Sequence, residues 1–244
     1  MKPKFLISVV LMPLAIFGVA FFIFQQQSQP GALPTAAAVA SLSDVNLATL
    51  KAKAEAGDPA AQTRVGKIYL TGTSVKADVK EAAKWFQQAA DKNYPDALAA
   101  LGELTQAGQG VPRNLEEAAK LYRRAAENGS VAGQYNLAYL YEQGSGVPPD
   151  EREAAKWYEL AAEGGDPIAQ YDIGQRCELG VGVATNRVQA FKWLTLAAAQ
   201  GQADSAKLLP AVKRELSGDE LTQARQLVKE FHLRPPKNSG PHAN

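Results

Sequence analysis

The sequence has little of the two side chains on which most acid–base and metal chemistry depends. It holds one cysteine and two histidines, and both histidines, His232 and His242, lie near the C-terminus. A single cysteine, Cys177, can form no intrachain disulfide and cannot supply a cysteine-ligated metal finger. Because histidine is the usual general base and a frequent metal ligand, its scarcity argues against catalysis.

A surplus of charge is also lacking. The chain carries 26 basic and 25 acidic residues, a net charge of +1. Lys2 and Lys4 are the only charged residues among the first 43, which leaves a net charge of −1 on the rest. Binding to phosphate backbones needs a basic surplus, so we expect no nucleic-acid partner.

One long hydrophobic run is present, at residues 5–24. It contains no charged residue and follows two lysines, and about 20 apolar residues match the thickness of a bilayer. The run predicts a single-pass signal anchor with a cytoplasmic N-terminus and an extracytoplasmic remainder, in the bacterial periplasm. A cleaved signal peptide followed by secretion is the alternative. Residues 25–43, uncharged and rich in Gln, Ala, Pro and Ser, predict a linker.

The rest of the chain repeats itself with a period of 36 residues. Four segments align without a gap, at residues 59–94, 95–130, 131–166 and 167–202. Glycine recurs at one fixed position of the period, at Gly72, Gly108, Gly144 and Gly180. Such a period predicts stacked structural units, because one unit cannot bury its apolar face alone.

Each unit is predicted to form two helices. The second helix of the first unit carries Ala82, Trp85, Phe86 and Ala89 at i, i+3, i+4 and i+7, which places them on one apolar face. Its start is marked by an N-cap residue with Glu or Gln three positions on, a pattern that resembles the capping box. The predicted N-caps are Asp78, Asn114, Asp150 and Asn186.

The first helix of each unit is predicted to end at the recurring glycine in a left-handed conformation. Small residues at Gly66, Gly102 and Gly174 would let the second helix approach closely. Capping helices are predicted at residues 44–56 and 203–231, with Pro210 ending one helix and Ser217 with Glu220 starting the next. Residues 232–244 predict a disordered tail.

The third unit carries the fullest motif, AGQYNLAYLYEQGSGVPPDEREAAKWYELAAEGG at residues 132–165. Its G-x-G-V turn, K-W-Y core and A-A-E-x-G ending resemble the Sel-one-like repeat (SLR), a relative of the tetratricopeptide repeat. The resemblance covers about residues 45–231. It implies an all-α fold, a right-handed α-solenoid of helix-turn-helix repeats, that serves as an adaptor or scaffold for protein complexes.

Three departures from the repeat pattern stand out. Ser74 replaces the second turn glycine in the first unit, and Thr105 replaces a tyrosine in the second. In the fourth unit, Arg176 replaces an apolar residue, and we predict that it pairs with Asp172 at i,i+4. Cys177 is predicted to be a small buried filler, with a thiol that joins another chain as the alternative.

The resemblance also implies a concave groove, lined by the first helices, in which partner peptides lie. The predicted groove residues are Thr63, Lys67, Ala99, Glu103, Tyr135, Tyr139, Glu142, Gln143, Tyr171, Gln175 and Glu178. Tyr135 and Tyr139 share a helix face, and Tyr171 follows Tyr135 by one period, so the three are predicted to lie together. Tyrosines there could hold a peptide or stack on a sugar. Packing between units is the alternative interpretation.

These observations favour a non-enzymatic, membrane-tethered adaptor that binds a protein or peptide. A carbohydrate- or cell-wall-binding scaffold is the alternative. A hydrolase acting on cell-wall or β-lactam substrates is disfavoured, because no Ser-x-x-Lys or Gly-x-Ser-x-Gly occurs. We predict no catalytic residue, no metal site and no cofactor. The glycine pairs in the turns lack the third glycine and the strand of a phosphate-binding loop.

Overall fold

The computed structural model of the chain describes residues 36–233, with side chains from residue 46 onward. The chain divides into two compact parts, residues 1–43 and residues 44–244, and the four repeat units lie in the second part. The predicted membrane segment at 5–24, most of the predicted linker and nearly all of the predicted tail lie outside the described residues. Within residues 36–233, no helix is long and apolar enough to cross a bilayer.

The described part of the chain is entirely helical, as predicted. Its helices are α1 (Ala36–Glu55), α2 (Pro59–Thr71), α3 (Val79–Ala90), α4 (Pro95–Ala107), α5 (Leu115–Glu127), α6 (Val131–Gln143), α7 (Glu151–Glu163), α8 (Pro167–Leu179), α9 (Arg187–Ala199), α10 (Ala203–Glu215) and α11 (Gly218–Lys229). From α2 to α10 each helix packs against the next, and α11 packs against α9. This is the order of an α-solenoid. Helix α1 begins inside the segment predicted as a linker.

The second helices begin at the predicted N-cap residues. Asp78 accepts a hydrogen bond from the Glu81 backbone at 3.0 Å, and Asn114, Asp150 and Asn186 act in the same way. The reciprocal bond of a capping box, from the Asp78 N–H to the Glu81 side chain, does not form. The Asp78 N–H donates instead to the Tyr69 carbonyl in the preceding helix, at 2.9 Å. The equivalent bonds recur in the other units, from Asn114 to Thr105, from Asp150 to Tyr141 and from Asn186 to Cys177. Each turn is thereby tied to its own helix pair.

A full capping box does form at the start of α11. The Ser217 hydroxyl accepts from the Glu220 N–H, and the Glu220 carboxylate accepts from the Ser217 N–H at 2.8 Å. The Glu220 carboxylate also accepts from the Ser217 hydroxyl at 2.8 Å, and the two bonds that it accepts from Ser217 lower the pKa of Glu220. No carbonyl of a preceding helix takes the Ser217 N–H, so the reciprocal bond has room to form.

The turns carry glycine at two positions, and the two positions have different roles. Gly72, Gly108, Gly144 and Gly180 end the first helices with φ of 71, 72, 62 and 74°. The second glycine touches the preceding unit: a Cβ at Gly110 would lie 2.6 Å from the Val79 carbonyl oxygen, and one at Gly146 or Gly182 would lie closer still to Leu115 or Glu151. Ser74 has no positive φ, since Asn93 is the one described non-glycine residue that does. The first turn therefore departs from the others in conformation.

The core lies between the two helices of each unit and between neighbouring units. Phe86 and Tyr122 are fully buried, and a Cβ at Gly66 or Gly102 would lie 2.6 or 2.7 Å from their rings. The predicted close approach at these glycines is therefore confirmed. Trp193 is also buried and meets the Phe231 ring edge-on at 5.5 Å, which closes the C-terminal end.

The prediction that Pro210 ends a helix is wrong. Helix α10 continues through it to Glu215. Proline removes one backbone donor from a helix interior, but the residues beyond it are held in place by packing. Val212 is buried at 4% exposure and belongs to the same core as Trp193.

Candidate partner-binding surface

The first helices of successive units lie beside one another. Helix α4 contacts both α2 and α6, and α10 contacts α8. Asn136 on α6 donates to the Glu103 carboxylate on α4 at 3.4 Å. We call the surface formed by α2, α4, α6, α8 and α10 the first-helix face. It carries the residues predicted to line a groove.

The predicted groove residues differ in their accessibility. Thr63 and Ala99 are each buried at 3% exposure, and the Thr63 hydroxyl donates to the Pro59 carbonyl at 2.7 Å. Both residues therefore face the core and are unavailable to a partner. Lys67, Glu103, Tyr139 and Gln143 are exposed, whereas Tyr135, Glu142, Tyr171, Gln175 and Glu178 are half-buried. The accessible part of the face thus lies mainly on α6 and α8.

The tyrosines do not pair as their spacing predicts. Tyr135 packs edge-on against Tyr158 of α7, with 5.4 Å between ring centroids, rather than against Tyr171. Burial, followed by the charge of Asp172, raises the pKa of Tyr135 to about 12. Tyr139 is 42% exposed, the greatest exposure of any aromatic side chain on the described part of this face. Tyr135 therefore contributes to packing, while Tyr139 is free to meet a ligand.

Arg176 is a buried cation that bonds two partly exposed carboxylates. It is only 6% exposed and donates to Glu142 on α6 and, at 2.5 Å, to Glu151 on α7. Its guanidinium lies 5.1 Å from the centre of the Tyr158 ring, and the Tyr158 hydroxyl donates to Glu142 at 2.9 Å. Burial opposes its charge, but these carboxylates offset the burial and raise the pKa of Arg176.

The predicted ion pair between Arg176 and Asp172 is therefore wrong. The arginine reaches back to the preceding unit, where two carboxylates converge. Asp172 interacts with the Tyr135 hydroxyl instead. Burial, and then the charge of Glu142, raise the pKa of Asp172 to about 6, although Arg176 and Tyr135 pull it down. Burial also raises the pKa of Glu103.

A cavity of about 470 Å³ opens where the fourth unit meets α10. Its lining residues are Gln175, Glu178, Leu179, Arg187, Leu194, Leu208, Ala211, Val212, Arg214 and Glu215. Of these, Gln175 and Glu178 were predicted to face a partner and the others were missed. The sequence did contain one indication of the cavity. Val212 stands one period after the much larger Arg176, so a smaller side chain occupies the equivalent position.

Cys177 is buried, as predicted for a small filler. Burial raises the pKa of its thiol to about 11, which keeps the sulfur protonated and poorly nucleophilic at neutral pH. Across the part of the chain that the structure describes, no group of His, Cys, Asp and Glu residues could hold a metal ion.

A family model for the Sel1 repeat matches residues 59–94, 95–130, 131–166 and 167–202. The chain belongs to the Sel1 repeat family. The matched segments are the four units that the 36-residue period delimits. Sel1 repeats form tetratricopeptide-like helical solenoids and generally mediate protein–protein interactions.

Solved structures of other Sel1 repeat proteins are similar to this chain. A Sel1 repeat protein from Oxalobacter formigenes is 29% identical, with a TM-score of 0.66 over 87% of this chain and 94% of that one. A protective antigen of uropathogenic Escherichia coli strains, which displays an SLR fold, is 26% identical. Its TM-score is 0.50 over 76% of this chain and 48% of that one. No curated protein matches the sequence.

Proposed function

We propose that this Sel1 repeat protein is a non-enzymatic, membrane-tethered scaffold that binds a segment of a partner protein on its first-helix face. The observation that carries the proposal is the exposure of Tyr139, which leaves 42% of a large aromatic side chain in solvent at the middle of that face. Tyrosine offers a large contact area at a low cost in side-chain entropy. Interfaces are accordingly enriched in tyrosine.

The surroundings of Tyr139 are suited to a ligand. Tyr135, one turn earlier on α6, packs edge-on against Tyr158 and interacts with Asp172, so the surface beside Tyr139 is already packed. Glu103 on α4 and Asp172 on α8 lie on the helices to either side, and burial raises the pKa of each carboxyl group. A partner that brings hydrogen-bond donors could add bonds to these two carboxylates, since a carboxylate accepts more than one hydrogen bond.

The absence of catalytic side chains from the repeats supports a binding role over a chemical one. Neither histidine lies within residues 59–202, and the buried Cys177 has a raised pKa. Three carboxylates at equivalent positions of the second helices, Glu81, Glu117 and Glu153, each pair with a lysine three residues on. The repeat surface therefore presents contacts without an activated nucleophile.

The membrane attachment and the extracytoplasmic location are part of the proposal. They are supported by the 20 uncharged residues at 5–24 and by the lysines that precede them. Alkaline extraction of membranes should leave the full chain in the membrane fraction, and its mass should correspond to an uncleaved N-terminus. Protease added from outside the inner membrane should digest the repeats; protection of the repeats would contradict the topology.

Crosslinking in intact membranes tests the binding face. A photoreactive residue replaces Tyr139 in one version of the protein and Lys84, an exposed residue of α3, in a matched control. We expect one protein to be captured at position 139 and not at position 84. Capture should fall at least fivefold when Tyr135→Ala or Tyr171→Ala is added. Capture at position 84 alone would mean that the partner binds the second helices. Capture of a glycan at position 139 would favour a carbohydrate-binding scaffold over a protein-binding one.

A further inference from the structure

Two equivalent joints in the solenoid differ in how their side chains fill the space. The first lies between the third and fourth units and the second between the fourth unit and α10. Positions in the two joints correspond at a spacing of 36 residues. The pairs are Glu142 and Glu178, Glu151 and Arg187, Tyr158 and Leu194, Asp172 and Leu208, and Arg176 and Val212.

The first joint is filled and satisfied. Arg176 occupies its centre, and Glu142 uses both carboxylate oxygens, one for Arg176 and one for the Tyr158 hydroxyl. In the second joint, Val212 is too short to reach across and Leu194 has no hydroxyl to donate. Val212 and Leu194, the counterparts of Arg176 and Tyr158, line the 470 Å³ cavity of the second joint.

Glu178 is left incompletely paired at this cavity. Its Oε1 accepts from Arg187 Nε at 3.2 Å. Its Oε2 is enclosed and meets no hydrogen-bond donor in the structure. A carboxylate oxygen that has lost water without gaining a donor is costly, so a donor entering the cavity would gain a favourable bond once the carboxyl group turns toward it.

The lining of the cavity narrows the class of ligand. Its floor is aliphatic, made by Leu194, Leu208 and Val212. Its charged lining residues balance, because Glu178 and Glu215 are matched in number by Arg187 and Arg214, so no preference for a strongly charged ligand follows. None of the lining residues is aromatic, which removes the usual platform for a sugar ring.

The cavity has the size and position of a peptide anchor site. A volume of about 470 Å³ lies within the range of small-ligand pockets. Leu179 at its edge is 71% exposed, a second apolar surface for the same ligand. Gln175 lines the cavity and follows Tyr139 by one period, so the cavity continues the first-helix face toward the C-terminal end.

We propose that this cavity, the α8–α10 pocket, binds one leucine-sized side chain of an extended partner peptide, whose main-chain N–H donates to Glu178. The proposal rests on the proposed function, because the pocket would be one end of the partner site. The aliphatic floor receives the side chain. The orphan carboxylate oxygen recognises the adjoining amide, and the exposed Leu179 covers the peptide from outside.

The test uses the full chain in lipid nanodiscs and a phage library of random heptapeptides with Gly-Ser flanks. We expect the enriched peptides to share one Leu, Ile, Val or Met. In a synthetic peptide, replacing that residue by Ala should weaken binding at least tenfold. Replacing the amide that donates to Glu178 by an ester should weaken it at least threefold.

Two protein variants locate the bound residue. Ala211→Trp places an indole in the pocket from an exposed position of α10 and should weaken binding at least tenfold. The matched control, Ala132→Trp, alters an exposed alanine of α6 and should change affinity less than twofold. Both should keep the circular dichroism spectrum and melting temperature of the parent, which would show that the fold is intact.

The remaining outcomes separate this proposal from the function on which it rests. Peptides that lose affinity with Tyr139→Ala but not with Ala211→Trp would overturn the pocket and leave the first-helix face in place. Enrichment without a shared apolar residue, or no enrichment at all, would also overturn the pocket. The crosslink at position 139 would then decide the scaffold function independently.

Discussion

The joint between the third and fourth units and the joint between the fourth unit and α10 share a repeat register but not a chemistry. The first is closed by a buried arginine that bonds two carboxylates. The second keeps one of those carboxylates, as Glu178, and replaces the arginine by Val212. The backbone therefore fixes where five side chains meet, while their identity decides whether the joint is filled or open to a ligand.

The largest effect on stability is expected from Gly182→Ala, at the closed joint. The new Cβ would collide with the Glu151 carbonyl oxygen, and the residue has a φ of 71°. Left-handed strain of about 1–2 kcal/mol and overpacking of about 1–3 kcal/mol together predict a loss of about 3 kcal/mol. Urea unfolding followed by circular dichroism measures it.

Gly218, one period beyond Gly182, is the matched control. A Cβ there would meet nothing within 4 Å, so Gly218→Ala should change the free energy of unfolding by less than about 0.5 kcal/mol. Equal losses in the two variants would mean that the close contact at Gly182 does not set the closed joint.

The next largest loss of stability is expected when Arg176 is replaced. Arg176→Leu restores the residue type of Leu140 one unit earlier but leaves Glu142 without its cation. Breaking a buried pair costs about 3–5 kcal/mol. Because the Glu142 and Glu151 side chains retain 34% and 51% exposure, we expect a loss nearer 2 kcal/mol, measured by urea unfolding.

A double variant checks the cause. Arg176→Leu combined with Glu142→Gln removes the uncompensated charge and should recover part of the loss. If the double variant is as unstable as the sum of the two single variants, the two side chains are not coupled and the network is not what closes the joint.

The two joints also differ in how they contribute to the pH dependence of folding stability. Asp172 has a pKa of about 6 in the fold, above its ordinary value of 3.8, whereas its counterpart Leu208 does not titrate. Because the folded pKa is the higher one, the unfolded chain ionises first as pH rises. Stability therefore falls between about pH 4 and pH 6 and stays reduced above pH 6.

Asp172→Asn, which copies Asn136 one unit earlier, removes this contribution. The variant should be more stable than the parent by about 1–2 kcal/mol at pH 7, and the difference should shrink as pH falls from about 6 to about 4. Unfolding at several pH values measures it. A difference that grows toward low pH would contradict the raised pKa.

The smallest contrast concerns the N-caps of α7 and α9. The Asp150 side chain accepts from two backbone N–H groups and the Asn186 side chain from one. Asp150→Ala and Asn186→Ala should each cost about 1 kcal/mol, with the former slightly larger. Thermal melts of both variants measure this. Costs that differ by more than about 1 kcal/mol would mean that the joints differ in backbone as well as in side chains.

The helices and their ends could be predicted from the sequence because their determinants are local. N-cap residues, left-handed glycines and the apolar stripe of Ala82, Phe86 and Ala89 act within one helix pair. The period then multiplies that pair four times. Pro210 shows the limit of local rules, since packing of Val212 against the core outweighs one missing hydrogen bond.

The candidate site could be predicted only in part, because its contacts cross between units. Spacing placed Arg176 beside Asp172 on one helix, but the arginine reaches carboxylates 34 and 25 residues earlier in the chain. Spacing also placed Thr63 on the partner face, although it is buried. The pocket at Glu178 arises because α10 carries Val212 where α8 carries Arg176. No repeat motif specifies the residue at this position.

The contact of Gly110, Gly146 and Gly182 with the main chain of the preceding unit has a consequence for how such a protein evolves. Successive units are registered by backbone against backbone at these glycines, and that contact does not involve the side chains exposed on the repeat surface. A lineage could exchange the surface of the repeats for that of a new partner while its curvature stayed unchanged. A change of curvature would first have to alter these three glycines.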